Sequence, residues 1–252
     1  MIDALTELAE EEQAHQTSPM PGLPTLSSVL AGASPLPREA AFLGLAEDGL
    51  PVLLNLYDAV PGPILISGDQ ACGKTALLKT IASATDILHT PAEVQYSVIT
   101  QYPNEWENFQ DNRNNAGIYS TQNPLAQELL YSLVTWAHNN KGEQQSIILL
   151  IDDFEAVASL NQQVEQNLRW LLLRGPSRRV WPIITINSSR AKNMQSWMDF
   201  FRTRLFGRIS NENESRLLTG NSNKRLDELV AGSEFAMREG SNWLNFWAPV
   251  IE

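Results

Sequence analysis

The sequence is poor in the residues that would build a site from metal or covalent chemistry. A single cysteine, Cys72, excludes an internal disulfide and any cysteine-based zinc centre. The three histidines, His15, His89 and His138, are far apart and show no i, i+4 pairing, so neither a metalloenzyme nor a serine hydrolase is indicated. No apolar run reaches the ~18 residues of a membrane-spanning helix. The first residues, MIDALTELAEEEQAHQ, are acidic where a secretory signal is basic. The expectation is a soluble, cytoplasmic protein with no membrane span. No internal repeat or low-complexity tract occurs.

Basic residues are also in short supply, 18 Lys and Arg against 29 Asp and Glu, for a net charge of −11. Bulk attraction to nucleic acid is therefore not expected of the chain as a whole. The distribution is uneven. Residues 1 to 168 carry a balance of −16, residues 169 to 225 one of +9, and residues 226 to 252 one of −4. A basic block is embedded in an acidic chain.

What is present is an alternation of short apolar runs and helical patterns. Residues 1 to 40 read as an acidic N-terminal arm, with a short helix over 2–16, followed by a linker in which Pro19, Pro21, Pro24, Pro35 and Pro37 block helix. Residues 41 to 252 read as one domain. Two apolar runs around Asp48-Gly49 predict a β-hairpin. Strands are expected at 63–67, 94–100, 146–152 and 180–186. Helices are expected at 75–85, 124–138 and 161–174. Strands alternating with helices imply an α/β fold, a mainly parallel sheet with helices on both faces. Further strands after residue 203 are expected to close one sheet edge. Residues 104–117 read as a polar loop, with Trp106 as a candidate for substrate contact. Trp136, Trp170, Trp243 and Trp247 read as packing residues.

One motif carries specific chemistry. Gly68, Asp69, Gln70, Ala71, Cys72, Gly73, Lys74 and Thr75 fit G-x-x-x-x-G-K-[ST], between an apolar strand and a helix that continues through Ala76. Glycines in such a loop let successive amides surround a phosphate, and the helix start adds its positive dipole end. Lys74 is expected on the β- and γ-phosphates of ATP and Thr75 on Mg²⁺. Cys72 sits inside the loop, either as a thiol open to blocking reagents or simply as a small residue. Downstream, IILLIDDFE is an apolar strand ending in carboxylates, at the end of an open sheet where ligands bind. Asp152 is expected to hold Mg²⁺. Asp153 is expected to orient the attacking water, with Glu155 as the alternative base. Asn187 ends the strand beside them, either contacting the γ-phosphate or forming a turn. Arg174, Arg178 and Arg179 precede that strand.

The order of these pieces resembles the FtsK/HerA superfamily of RecA-like hexameric DNA-pumping ATPases. The likeness rests on "GLPVLLNL" leading into "PGPILISGDQACGKTALLKTIA", then "LLIDDFEAVASL", "IITINSSR", "FFRTRLFGRISNENESRLLTG" and "LVAGSEFAMREGSNWLNFWAPVI", about residues 41 to 250. It implies a RecA-like P-loop core with extra C-terminal strands, ATP and Mg²⁺ as cofactors, and a homo-hexameric ring. It also implies an arginine reaching the neighbouring subunit's site. The family's Glu stands here as Asp153, which implies slower or rearranged hydrolysis. Its Gln is replaced by Asn187, and its Arg-Pro by Ser188-Ser189. Pro176 falls near the inter-subunit arginine, so Arg174, Arg178 or Arg179 would take that role. No winged-helix reader or membrane anchor is expected, only a motor module. DNA is one expected cargo. A protein partner, docking through the acidic arm, is the alternative. A small-molecule kinase would carry an arginine-bearing lid and little after its last core strand, which does not match the strands after residue 203.

Overall fold

The computed structural model describes residues 24–33, 35–37, 39–140, 145–220, 222–239 and 242–252. The expected helix at 2–16, Pro19 and Pro21 lie outside these residues.

The sheet has ten strands: β1 (Ala40–Ala46), β2 (Pro51–Asn55), β3 (Ile64–Gly68), β4 (Val94–Thr100), β5 (Asn115–Ser120), β6 (Ser146–Asp152), β7 (Val180–Asn187), β8 (Thr203–Phe206), β9 (Glu234–Glu239) and β10 (Asn242–Trp247). Their spatial order is β2-β1-β10-β9-β8-β3-β7-β6-β4-β5. From β8 to β5 every pairing is parallel. From β8 to β2 every pairing is antiparallel. The helices are α1 (Leu26–Ala33), α2 (Lys74–Leu88), α3 (Pro124–Asn139), α4 (Phe154–Ala158), α5 (Gln162–Arg174), α6 (Gln195–Met198) and α7 (Glu212–Thr219).

The apolar content of β6 shows why it lies deep in the sheet. Ile147, Leu149 and Ile151 face a core shared with Leu130 and Leu133 of α3 and Leu168 and Leu171 of α5. Ile148 and Leu150 face the opposite core, shared with Leu77, Leu78 and Ile81 of α2. A strand covered on both faces needs a continuous apolar run rather than an alternating one. Asn123 and Asn161 fix where α3 and α5 begin, since their side chains accept from Leu125 N–H and Val164 N–H.

Three expectations change. The strands after residue 203 lie inside the sheet, joining β3 to the β1–β2 hairpin, and the hairpin forms the rim; the register Leu45↔Trp247 docks it on β10. Between Pro24 and Pro35 the eight proline-free residues LSSVLAGA form α1 instead of linker. Leu26, Val29 and Leu30 pack on Phe42 and Ala84, and Leu26 N–H donates to the Val250 carbonyl at 2.8 Å. Residues 104–117 are structured: a 3₁₀ turn spans Pro103–Phe109 and β5 follows. Trp106 is fully buried against Phe109, 5.2 Å between ring centroids, so it does not meet a substrate. The polar residues there are held by Asp86 at the end of α2. Its carboxylate accepts from Asn112 Nδ2 (2.7 Å), Asn114 N–H (3.1 Å) and Tyr96 Oη–H (3.0 Å).

Trp136, Trp170 and Trp243 are partly buried against the core, and Trp243 packs on Phe206 at 5.4 Å.

Candidate nucleotide-binding and hydrolysis site

In the loop between β3 and α2 the left-handed backbone angles fall at Ala71 and Gly73, not at Gly68, which ends β3. Ala71 and Gly73 have positive φ, 57° and 98°. A Cβ on Gly73 would stand 2.6 Å from the Gly232 carbonyl oxygen, so glycine is required by conformation and by space. Gly73 precedes α2 without a side-chain cap, which leaves the first amides of the helix for an anion. Gln70 and Ala71 are exposed at the crown of the loop, and Ala76 is half-buried in the first turn of the helix. The Cys72 thiol lies 2.4 Å from where a Cβ would sit on Gly68 and 2.8 Å from one on Gly207. It fills a slot that only two glycines leave open. Burial pushes its pKa up against the pull of Lys74. Cys72 is thus a buried packing residue, not an exposed thiol.

Lys74 folds back over the loop. Its Nζ donates to the carbonyls of Gly68 (3.1 Å) and Asp69 (2.6 Å). Thr75, next in the helix, donates from Oγ1 to Asp152 Oδ2 at 2.8 Å. These two oxygens, from residues 77 apart in sequence, are hard donors of the kind Mg²⁺ takes. One strand, β7, separates the strand of the loop from that of Asp152. β7 places Asn187 beside Gly68 in register. Burial pushes the Asp152 carboxyl up, opposed by hydrogen bonds from Thr75 and Thr185 and by the charge of Lys74. The donor set fits a divalent cation: the nearby ammonium and hydroxyls offset part of the carboxylate's charge, and a cation would offset the rest.

Asp153 has φ 79° and ψ 87°, a left-handed conformation that a non-glycine residue adopts at a cost. Two contacts hold it. Its N–H donates to Thr185 Oγ1 at 2.9 Å, and Gln101 Nε2 donates to its Oδ2 at 3.2 Å. Thr185 in turn donates to Asp152 Oδ1 at 2.9 Å. Thr185 and Gln101 were not expected as site residues. The visible signal for Thr185 is a hydroxyl inside the apolar run VWPIITI, and for Gln101 its place directly after the strand that pairs with β6.

Glu155, the alternative base, is engaged elsewhere: its Oε2 is 3.2 Å from Arg190 Nε, and its Oε1 accepts from Asn193 Nδ2 at 3.5 Å. Asn187 reaches the expected tip, where its Oδ1 accepts from Ser189 N–H (3.2 Å) and Oγ–H (3.0 Å), the turn-forming arrangement. The structure does not bring Arg174, Arg178 and Arg179 to their own chain's site. They precede β7, whose eight residues span roughly 25 Å at about 3.3 Å each. Arg179 is held by Glu39 at 2.8 Å and lies over the Tyr57 ring at 5.3 Å.

No protein-family model matches this sequence, and no curated protein matches it. Solved structures do. EccC of Thermomonospora curvata (ATPases 2 and 3, in complex with a signal sequence peptide) superposes with a TM-score of 0.71 at 20% identity, over 91% of this chain and 43% of that one. EssC of Geobacillus thermodenitrificans (ATPases 2 and 3) gives 0.72 at 15% identity, over 92% and 48%. The pCW3 conjugation coupling protein TcpA, with ATPγS, gives 0.67 at 14% identity, over 90% and 69%. The chain therefore spans less than half the length of the EccC and EssC chains. Among the described residues no helix is long and apolar enough to cross a membrane. At these identities the likeness is one of fold, and the fold of this chain is that of the RecA-like P-loop ATPases.

Proposed function

We propose that this chain is a Mg²⁺-dependent ATPase and the motor module of a ring. The observation that carries the reading is the 2.8 Å contact of Thr75 with Asp152 beside Lys74 and an uncapped helix start. Lys74 would exchange two carbonyls for the β- and γ-phosphates, and the amides of the loop would take the remaining phosphate charge. Thr75 and Asp152 would hold Mg²⁺, which neutralises developing phosphate charge when bound. Asp153 would accept the proton of the attacking water, with Gln101 and the Thr185 contact fixing its direction. Arg174 and Arg178, exposed at the opposite end of the strands, and Arg179 are the residues available to a neighbouring copy's site. Lys74→Ala should abolish ATP binding in calorimetry; unchanged affinity would refute the site.

For the cargo, the first reading is DNA. The segment after β7, residues 188–198, carries Arg190 and Lys192, both exposed, at the same end of the sheet as the nucleotide site. The basic block 169–225 surrounds it in sequence. The second reading is a protein cargo, or a weakly hydrolysing nucleotide-dependent subunit of an assembly or secretion complex. It is favoured by the net charge of −11. ATPase rates with and without duplex DNA decide between them. No stimulation and no DNA binding at low salt would remove the first reading.

A further inference from the structure

A carboxylate inside a phosphate-binding loop is electrostatically unfavourable, because it repels the anion the loop is built to hold. This loop nevertheless contains Asp69. Each of its polar groups is engaged by a different residue. Its N–H donates to the Arg208 carbonyl at 2.9 Å. Its carbonyl accepts from Lys74 Nζ at 2.6 Å. Its Oδ1 accepts from Ser188 Oγ–H and its Oδ2 from Ser210 N–H, both at 2.7 Å. Burial opposes the charge, but the bonds from Ser188 and Ser210 together with Lys74 outweigh it and lower the pKa.

Ser188 is buried and opens the turn that Asn187 caps. Two residues on, Arg190 pairs with Glu155, and Asn193 bonds the same carboxylate. The segment 187–193 is thus tied at one end to the phosphate loop and at the other to the second acidic candidate. An incoming triphosphate changes both contacts that bear on Asp69. It draws Lys74 away from the Asp69 carbonyl, and it repels the Asp69 carboxylate that holds Ser188.

We infer that Asp69 is a positioning residue that, through Ser188, transmits phosphate occupancy to segment 187–193 and so governs the pairing of Glu155 with Arg190 and Asn193. The inference rests on the ATP-binding reading of the site. Its test is amide hydrogen exchange over 188–193 with and without Mg-ATP, alongside calorimetric ATP binding and steady-state turnover. In the wild type, ATP changes exchange in this segment. Ser188→Ala binds ATP within about threefold of wild type, loses that change, and lowers kcat about tenfold with little change in KM. Ser188→Thr, which keeps the hydroxyl, restores both. Arg190→Ala, at an exposed position and so tolerated by the fold, lowers kcat to the same extent, and its combination with Ser188→Ala adds nothing further. ATP binding with an unaltered exchange response in Ser188→Ala, or additive effects of Ser188→Ala and Arg190→Ala, overturns the inference alone. A wild-type protein that binds no ATP overturns the site reading, and the inference falls with it.

Discussion

Replacing Asp153 by glycine should make the protein more stable and inactive at once. The residue is exposed and occupies φ 79°, ψ 87°. A non-glycine residue held there costs about 1–3 kcal/mol. Glycine removes that strain but loses about 0.5–1 kcal/mol to its freer unfolded chain. The bond from Gln101, at 3.2 Å on an exposed side chain, contributes no more than about 0.5 kcal/mol. The balance favours glycine over aspartate by about 1 kcal/mol, or about 2 °C in Tm for a chain of this length. Alanine keeps the strain and loses the bond, so Asp153→Ala should melt at or slightly below wild type. Both variants remove the carboxylate and should lower turnover by about 10²–10⁴, while ATP binding persists. Thermal melts of the nucleotide-free variants, with phosphate-release rates on the same samples, check both halves. A glycine variant that melts no higher than the alanine variant would show that the backbone at 153 is not strained. Turnover within about threefold of wild type in either variant would remove Asp153 as the base and point to Glu155.

Thr185→Val keeps the shape of the buried side chain but deprives Asp152 Oδ1 and Asp153 N–H of a partner. It should cost about 1–3 kcal/mol by urea titration, and Thr185→Ser should recover most of it; an undiminished valine variant would deny the bridge any role. Asp152 has a folded pKa above its ordinary value of 3.8, chiefly through burial. Its share of stability in the metal-free protein is therefore full below that value and lost as pH rises through the folded pKa. Asp152→Asn should thus gain on wild type in urea midpoint from acidic to neutral pH, and a constant difference would contradict the burial argument. Cys72, buried with a raised pKa, should react with a thiol reagent at least about 100-fold more slowly folded than in denaturant. Prompt labelling of the native protein would mean that the loop opens readily.

The central strands β3, β4, β6 and β7 and their helices are legible because burial on both faces leaves an apolar run, which the edge strand β5 lacks. β4 and β6 have the bounds expected of them. The turn between β3 and α2 is legible because space and conformation dictate its glycines. What escaped was whatever depends on partners distant in sequence. α1 looks like linker in the sequence because prolines flank it, although none falls within it, and it packs on Phe42 and Ala84. Residues 104–117 look like loop because their polar groups give no sign that Asp86 satisfies them. Thr185 and Gln101 are single polar residues whose roles exist only once β4, β6 and β7 lie side by side. The positions of the late strands inside the sheet are hidden for the same reason: which neighbour a strand chooses is a property of pairing, and a lone strand does not display it.

The glycine contact behind the phosphate loop also bears on how the protein is made. Gly73 rests on the backbone of Gly232, and Gly232 N–H donates to the Cys72 carbonyl at 3.1 Å. Arg208 and Ser210 brace Asp69 from the same side. All three braces are synthesised well after the loop, at about 5–20 residues per second. A nascent chain therefore carries every residue of the loop for many seconds before it has the wall that shapes them. Competence to bind nucleotide should arrive late and abruptly, when residues 208–232 emerge.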